Sequence, residues 1–469
     1  MEDQATRQGP FNTDNDRRLG TNHTLFQLLL TALVADVNAL KLHIGLDDTD
    51  SPEGGCTTYL AAILVETLLD MGAEFISYPT LLRLNPNTPW KTRGNASMCL
   101  RLEIDDIKYD DVKQEVRKLI EKYGEFQCDN TNPGAVFLRG DVPDTIKHYA
   151  LRVVRSLVSK NDALKLIKQH NLDYLEYKNG RGIIGALAAI GGTLEDDYTY
   201  ELLTYRTPEH WGKPRQVNKD SIVAMDKELS HSTYNNIDEN GKPLITPNGP
   251  DPVLYGVRGE TPKAVYDAKE MIKCIEPVER WMICRTNQGT DQHFSEPIKV
   301  SQLKAYNPAV VHGIVDSIPE TIEGGHVFFK LRDETGVVDC AAYEPTGSFR
   351  DVVRKLRIGD EVTTYSGVSL HEDSYTLNLE KLVVHILASE FKLVKPKCPI
   401  CGGSTESMGK DQGLRCKKCG YRSSELVEES VEVERDLVAG IYLPDRSAHR
   451  HLTKPYERYG REKTLFVQV

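Results

Sequence analysis

Apolar positions along this chain change period several times, and each change marks a new element. Leu40 to Leu46 is an apolar run that ends in acids, the pattern of a buried strand. From Thr57 to Asp70 the residues Leu60, Ile63, Leu64 and Leu68 recur at helical spacing. Gly54 and Gly55 supply a tight turn before that helix, and Gly72 stops it. Ser97 to Ile104 predicts a second strand and Tyr109 to Tyr123 an amphipathic helix, so this part reads as α/β with short connections.

Residues 135–285 continue in α+β style. Gly180 to Ala186 (GRGIIGA) is a glycine-rich entry into an apolar run through Ile190. Thr233 to Gly259 is dense in Asn, Gly and Pro and predicts a loop-rich stretch of the kind that lines sites. The pattern changes again over 297–388. Ala309–Ser317, His326–Leu331 and Val337–Tyr343 are β-rich, Ser348–Leu356 is a short helix, and Val362–Val368 and Tyr375–Leu387 close the set. Three strands, a helix and two strands is the order of an OB-fold barrel. Residues 391–424 form a cysteine module, and the tail 425–469 begins acidic and turns basic from Arg446.

The chain has 469 residues, 39% hydrophobic and 27% charged, which predicts a multidomain globular protein. A net charge of -11 argues against a protein that coats nucleic acid everywhere, but leaves room for local basic surfaces. Leu25 to Ala35 is the hydrophobic run to test against a membrane, and it has about half the length a span requires. Arg17 and Arg18 upstream give it a faint signal-peptide look, but an appended helix and tail, or an overextended start, is expected over residues 1–40. Of ten cysteines, six are scattered without framework spacing, which predicts a reducing cytoplasm.

Two patches carry chemistry. The first is Asp47-Asp48-Thr49-Asp50, followed by Gly54-Gly55-Cys56-Thr57-Thr58. Three carboxylates within four residues repel one another unless a cation sits between them, and magnesium with phosphates is the usual solution. Gly54 and Gly55 let backbone N–H groups approach a phosphate, and the helix start adds its dipole. No Walker-type loop is present. The bland alternative is an acidic cap on a solvated turn. From Arg83 to Arg101 there are four cations and no acid, and Lys91 and Arg93 flank Thr92 beside a glycine, which suits phosphate clamping or simply a basic loop.

The second patch is Cys398-x-x-Cys401, fourteen residues, Cys416-x-x-Cys419. Four thiolates in two knuckles form a closed structural zinc site. Eight Lys/Arg over 391–424, including Lys417, Lys418 and Arg422, face only Glu406 and Asp411, which favours contact with RNA phosphates over a purely structural clip. The tail adds Arg450, Lys454 and Arg458 interleaved with Tyr456 and Tyr459, a pattern that can grip phosphates and stack bases.

These motifs, in order, are DDTDSPEGGCTTYLA, RLNPNTPWKTRGNA, TNPGAVF, GRGIIGALAAIGG, GPDPVLYGVRGETP, RTNQGTDQH and KPYERYGRE, with the barrel and ribbon between the last two. From residue 41 to 469 the chain resembles the archaeal tRNA 2-agmatinylcytidine synthetase family. The resemblance implies a kinase-like ATP/magnesium catalytic domain over 41–134 and a ferredoxin-like domain over 135–295. An OB domain over 296–390, a zinc ribbon over 391–424 and a tRNA-binding tail follow. It implies an ATP-dependent carbon–nitrogen ligase that phosphorylates the 2-carbonyl oxygen of the wobble cytidine in the CAU-anticodon minor isoleucine tRNA. Agmatine then displaces the phosphate, so that the tRNA reads AUA. It implies a phosphorylated threonine at Thr57. Agmatine, a dication, needs carboxylates; Asp251 and Glu260, or Glu195, Asp196 and Asp197, are the candidates. No membrane and no obligate protein partner are expected. The competing readings are an RNA modifier using another amine, and a non-catalytic OB/zinc-ribbon nucleic-acid-binding protein.

Overall fold

The structure is a computed structural model that describes residues 39–463. The Leu25–Ala35 run lies outside the described residues. Among those described, no helix is long and apolar enough to cross a membrane.

The first half of the chain is built on one ten-stranded sheet. Its strands are β1 (Ala39–Asp47), β2 (Glu74–Phe75), β3 (Thr80–Arg83), β4 (Ala96–Asp105), β5 (Gly134–Arg139), β6 (Asp173–Glu176), β7 (Thr199–Arg206), β8 (Thr233–Tyr234), β9 (Val253–Gly259) and β10 (Val278–Thr286). The order is β6-β5-β1-β4-β3-β10-β7-β9-β8, with β2 beside β4. β1 is central and antiparallel to both neighbours, Gly45 facing Cys99 on one side and Val136 on the other. The boundary expected at 134/135 falls where β5 enters this sheet beside β1. The two halves meet at β3 and β10, which run parallel, Thr80 against Arg285.

Helices cover both faces. α1 (Thr57–Asp70) and α2 (Tyr109–Tyr123) match their expected spans and bury Leu60, Leu64, Val112 and Val116 against Leu42, Ile44 and Leu46 of β1. On the opposite face lie α3 (Asp144–Arg155), α4 (Lys160–Gln169) and α5 (Ile183–Gly191), over Cys99, Val136 and Leu138. The continuous apolar run of β1 follows from this double coverage. α6 (Lys219–Leu229) and α7 (Pro262–Met271) complete the core beneath β7, β9 and β10. The end of the expected loop-rich stretch is strand β9, whose neighbouring Pro and Gly residues disguise it in the sequence.

Residues beyond 300 form the expected barrel: β11 (Pro308–Val315), β12 (Glu320–Thr321), β13 (Val327–Arg332), β14 (Val337–Ala342), α8 (Phe349–Arg354), β15 (Glu361–His371) and β16 (Ser374–Ile386). Pairing of β11 with β13, Ile314 against Arg332, closes it. β17 (Glu390–Val394) pairs with β21 (Glu429–Val433) as an arm. The arm leads to a small sheet of β18 (Thr405–Ser407), β19 (Leu414–Cys416) and β20 (Arg422–Ser423). β22 (Gly440–Tyr442) returns to the barrel beside β16. Residues 446–463 then run back to the first sheet.

Helix α5 lies against β1 at backbone distance. A Cβ on Gly45 would sit 2.0 Å from the carbonyl oxygen of Ala186, a backbone atom that cannot step aside. Gly45→Ala should therefore push α5 off the sheet and destabilise the fold by about 1–3 kcal/mol. Thermal unfolding should report a lowered Tm; an unchanged Tm would mean the helix is not held this closely.

Candidate active site and zinc ribbon

β1 ends at Asp47, and the chain turns at Asp48, whose φ is 60°. Short acidic side chains tolerate this left-handed conformation. Asp47, Asp48 and Asp50 line one cavity of about 600 Å³, with Thr57, Thr58, Lys91, Arg93 and Asp251 also on its wall. The expected acidic turn, glycine-rich turn and basic loop are thus brought together, and Asp251 arrives from the second half of the sheet.

Each carboxylate has a different environment. Asp50 takes Thr92 Oγ1 at 2.9 Å and Arg93 Nε at 2.8 Å. Arg93 also donates to the Gly55 carbonyl at 2.7 Å and to Asp251 Oδ2 at 3.1 Å, so one guanidinium ties the turn to the far wall. Asp48 accepts from Asn132 N at 3.1 Å and has Arg181 at 4.0 Å. Burial pushes its carboxyl up to about 6, against the opposing pull of Arg181 and Asn132. Burial, and then the Asp48 charge, push Asp47 well above the usual carboxylate range. Asp47 and Asp48, crowded and part-buried beside Asp50, offer oxygens that fit a hard divalent cation. Asp47 has room because a Cβ on Gly185 would lie 2.0 Å from its Oδ2. The glycine-rich segment at 180–186 therefore serves close packing behind the acidic turn.

Thr57 opens α1. Its hydroxyl lies 2.9 Å from that of Thr49, and the residue is 6% exposed. Thr58 lies 3.0 Å from Cys56 Sγ. No side chain caps the helix start. A helix start of this kind suits a phosphate through its first-turn N–H groups and dipole, with Gly55 at a φ of 69° in the approach. Lys91 is exposed, and its ammonium donates to the Pro86 carbonyl.

Other expected residues are placed differently. Glu260 lies outside this cavity and accepts from Arg458 Nε at 2.7 Å. Arg458, expected on an RNA-facing tail, is fully buried, gripping Asp197 at 2.8 Å and the Gly289 carbonyl at 2.6 Å as well. Its two carboxylate partners satisfy the guanidinium, so it anchors the tail and offers no donor to RNA. Glu195 pairs with Lys147 on the surface. Lys454 bonds Glu462 at 2.9 Å, and Arg450 bonds Asn87 at 2.7 Å near a second cavity. Sequence reasoning missed Arg83, Arg181, Glu201, Arg258 and His451, all on the main cavity wall. Arg83 stood inside the basic motif, but Glu201 and Arg258 lie within strands, where period alone hides them.

The four ribbon thiols converge, their sulfurs all within 4.8 Å of one another. Cys398 Sγ lies 3.6 Å from Cys419 Sγ, and Cys401 Sγ 3.5 Å from Cys416 Sγ. These separations match the edges of a tetrahedron with zinc–sulfur bonds of about 2.3 Å. Backbone N–H groups of Lys418 and Cys419 point at Cys416 Sγ, at 3.3 and 3.4 Å, and favour its thiolate. Lys417, Lys418 and Arg422 are exposed on this ribbon.

A nucleotide-type site on an α/β sheet, joined to an OB barrel and a zinc ribbon, defines a nucleotide-using enzyme of the RNA-acting class. Four family models match successive parts of the chain. They are the TiaS TCKD domain (43–179), the TiaS FLD domain (180–293), an OB-fold nucleic acid binding domain (309–384) and the TiaS C-terminal zinc ribbon domain (395–437). TiaS of Methanocaldococcus jannaschii, an isoleucine-tRNA 2-agmatinylcytidine synthetase, is 43% identical, over 89% of this chain and 99% of its own. The crystal structure of apo TiaS superposes with a TM-score of 0.81 at 41% identity, covering 89% of this chain and 97% of that one. A TiaS complex with its isoleucine tRNA, AMPCPP and agmatine superposes with a TM-score of 0.77 at 38% identity, covering 89% and 96%. The chain belongs to the TiaS family of isoleucine-tRNA 2-agmatinylcytidine synthetases.

The thiol geometry predicts about one zinc per chain by elemental analysis. Cys416→Ser should lose that zinc and open the ribbon to protease, with the ten-stranded sheet still folded. Full zinc retention in this variant would contradict the four-thiolate assignment.

Proposed function

We propose that this protein uses ATP to attach agmatine to the wobble cytidine of the CAU-anticodon minor isoleucine tRNA, acting in the cytoplasm. The single observation carrying this is the gathering of Asp47, Asp48, Asp50, the uncapped start of α1, and Arg93 around one cavity, in a chain of this family.

The 2-carbonyl oxygen of cytosine is a poor leaving group until phosphorylated. Phosphoryl transfer is mostly positioning and charge neutralisation. Asp47, Asp48 and Asp50 would hold magnesium, which when bound offsets the phosphate charge. Gly54, Gly55, Thr58 and the start of α1 receive phosphate oxygens, and Lys91 and Arg93 add positive charge. Thr57 is the residue for covalent phosphorylation, and its bond to Thr49 orients its hydroxyl at the turn. The target base must leave its stack to reach this cavity, as bases modified by enzymes do. Agmatine's amine then forms the C–N bond at C2 as the C–O bond breaks, and phosphate departs with the oxygen.

Asp251 is the carboxylate for the agmatine guanidinium. It is 7% exposed and held by Arg215 at 3.3 Å and Arg93 at 3.1 Å. Transfer of Arg93 from Asp251 to an ATP phosphate would free Oδ2 for agmatine. Nucleotide and amine binding are then coupled, each strengthening the other.

With ATP, magnesium and agmatine, mass analysis should show an agmatine adduct on the CAU isoleucine tRNA and none on the elongator methionine tRNA. Equal labelling of both, or no adduct, would overturn the substrate assignment. Asp50→Ala removes the Arg93 anchor as well as a carboxylate, and should slow the reaction by at least about two orders of magnitude. A variant with near wild-type turnover would remove the acidic turn from the mechanism.

A further inference from the structure

Arg83 and His451 come from opposite ends of the chain and meet at one point. A Cβ on Gly94 would lie 2.7 Å from Arg83 Nη1 and 3.2 Å from His451 Nε2, so the glycine keeps that point open. The point sits on a wall shared by two cavities. Arg83, Lys91, Gly94 and His451 line both the main cavity and a second one of about 430 Å³, to which Arg450 also belongs.

The Arg83 guanidinium here has no anion at hydrogen-bond distance. Arg83 Nε is buried with no partner. Among the described residues, the one ion pair of this guanidinium is Nη2 with Glu201 at 3.6 Å, beyond hydrogen-bond distance. Glu201 is already committed to Arg258 Nε at 3.1 Å and to the Gln288 amide. His451 is held from behind, its Nδ1 3.1 Å from Gln288 Oε1 and 3.2 Å from Arg258 Nη2, which leaves Nε2 on the shared wall. Burial, then the Arg83, Arg258 and Lys91 charges, hold the imidazole well below its ordinary range. Burial likewise lowers Arg83, with Glu201 opposing. A part-buried guanidinium whose nearest carboxylate lies beyond hydrogen-bond distance is under-satisfied, and its fork with spare N–H groups matches phosphate oxygens.

We propose that Arg83 and His451 form a phosphate subsite on the wall between the two cavities, separate from the acidic turn. A dication such as agmatine is repelled from this wall. Two phosphates could reach it: a phosphodiester of the tRNA strand flanking the target nucleotide, or a phosphate released from ATP. The continuation past Arg450 into the second cavity suits a strand. The proposal rests on the tRNA-modifying reading of the main cavity. The adduct assay on the wild type tests that reading by itself, so the two can fail separately.

The test compares wild type with Arg83→Gln and Gly94→Ala, each checked by thermal unfolding. Gly94→Ala fills the meeting point without removing charge, and decides alone should Arg83→Gln fail to fold. Binding of tRNA transcript without ATP is measured over a salt series; binding of ATP and of inorganic diphosphate is measured without tRNA. If the phosphate is a phosphodiester, tRNA binding should weaken about tenfold to a hundredfold in both variants. For Arg83→Gln the salt slope should also fall by about one, with ATP and diphosphate unaffected. If it comes from ATP, ATP or diphosphate binding should weaken instead, with tRNA binding intact. Folded variants that bind all three probes like the wild type would overturn the subsite.

Discussion

Three carboxylates at the end of one strand repel one another, and much of the first half of the molecule is arranged around holding them there. Asp47 and Asp48 are pushed upward by burial, so their charges are not fully offset by the protein itself. Asp50 is treated differently: Thr92 and Arg93 close on it from the basic loop. The result is a turn that is rigid on one side and short of positive charge on the other. Rigidity comes from β1, hydrogen-bonded on both edges and covered on both faces. A preorganised site of this kind loses little free energy to reorganisation when phosphates arrive.

That arrangement explains why two separately matched family domains share one sheet. Arg93 bonds Asp50 near β1 and Asp251 beside β9, so a single side chain spans both halves. A flexible joint between those halves would vary that distance by more than a hydrogen bond tolerates. The parallel pairing of β3 with β10 removes the joint. The same pairing carries Arg83, at the end of β3, to the carboxylate of Glu201 on β7.

Elements built on strong periodicity were legible in the sequence. The spans of α1 and α2 follow from apolar spacing, and the barrel from its order of strands and helix. The ribbon was legible because four thiols at knuckle spacing allow few other arrangements. Partner choice was not legible. Arg458 and Arg450 look alike in a basic tail, but one is fully buried between Asp197 and Glu260, and the other is partly exposed beside a cavity, with Glu380 at 3.3 Å. Which cation finds a carboxylate depends on long-range packing, and local composition does not encode it. Glu260, expected to face agmatine, is spent on Arg458 for the same reason.

The buried Arg458 changes what the tail does. With Lys463, which donates to the Tyr198 and Glu260 carbonyls at 2.7 Å, it fastens the end of the described chain to the first sheet. Between β22 and that anchor the chain passes the main cavity, where Gly289 N bonds the His451 carbonyl at 2.9 Å and Asp291 N the Leu452 carbonyl at 2.8 Å. The ribbon and barrel thus lie inside a closed circuit that starts and ends on the catalytic sheet. A tail pinned at both ends has little freedom to sweep for RNA, and its side chains are held at fixed places on the cavity wall. On the ribbon, by contrast, Lys417, Lys418 and Arg422 are exposed. The tail thus ties barrel and first sheet together mechanically by returning from one to the other.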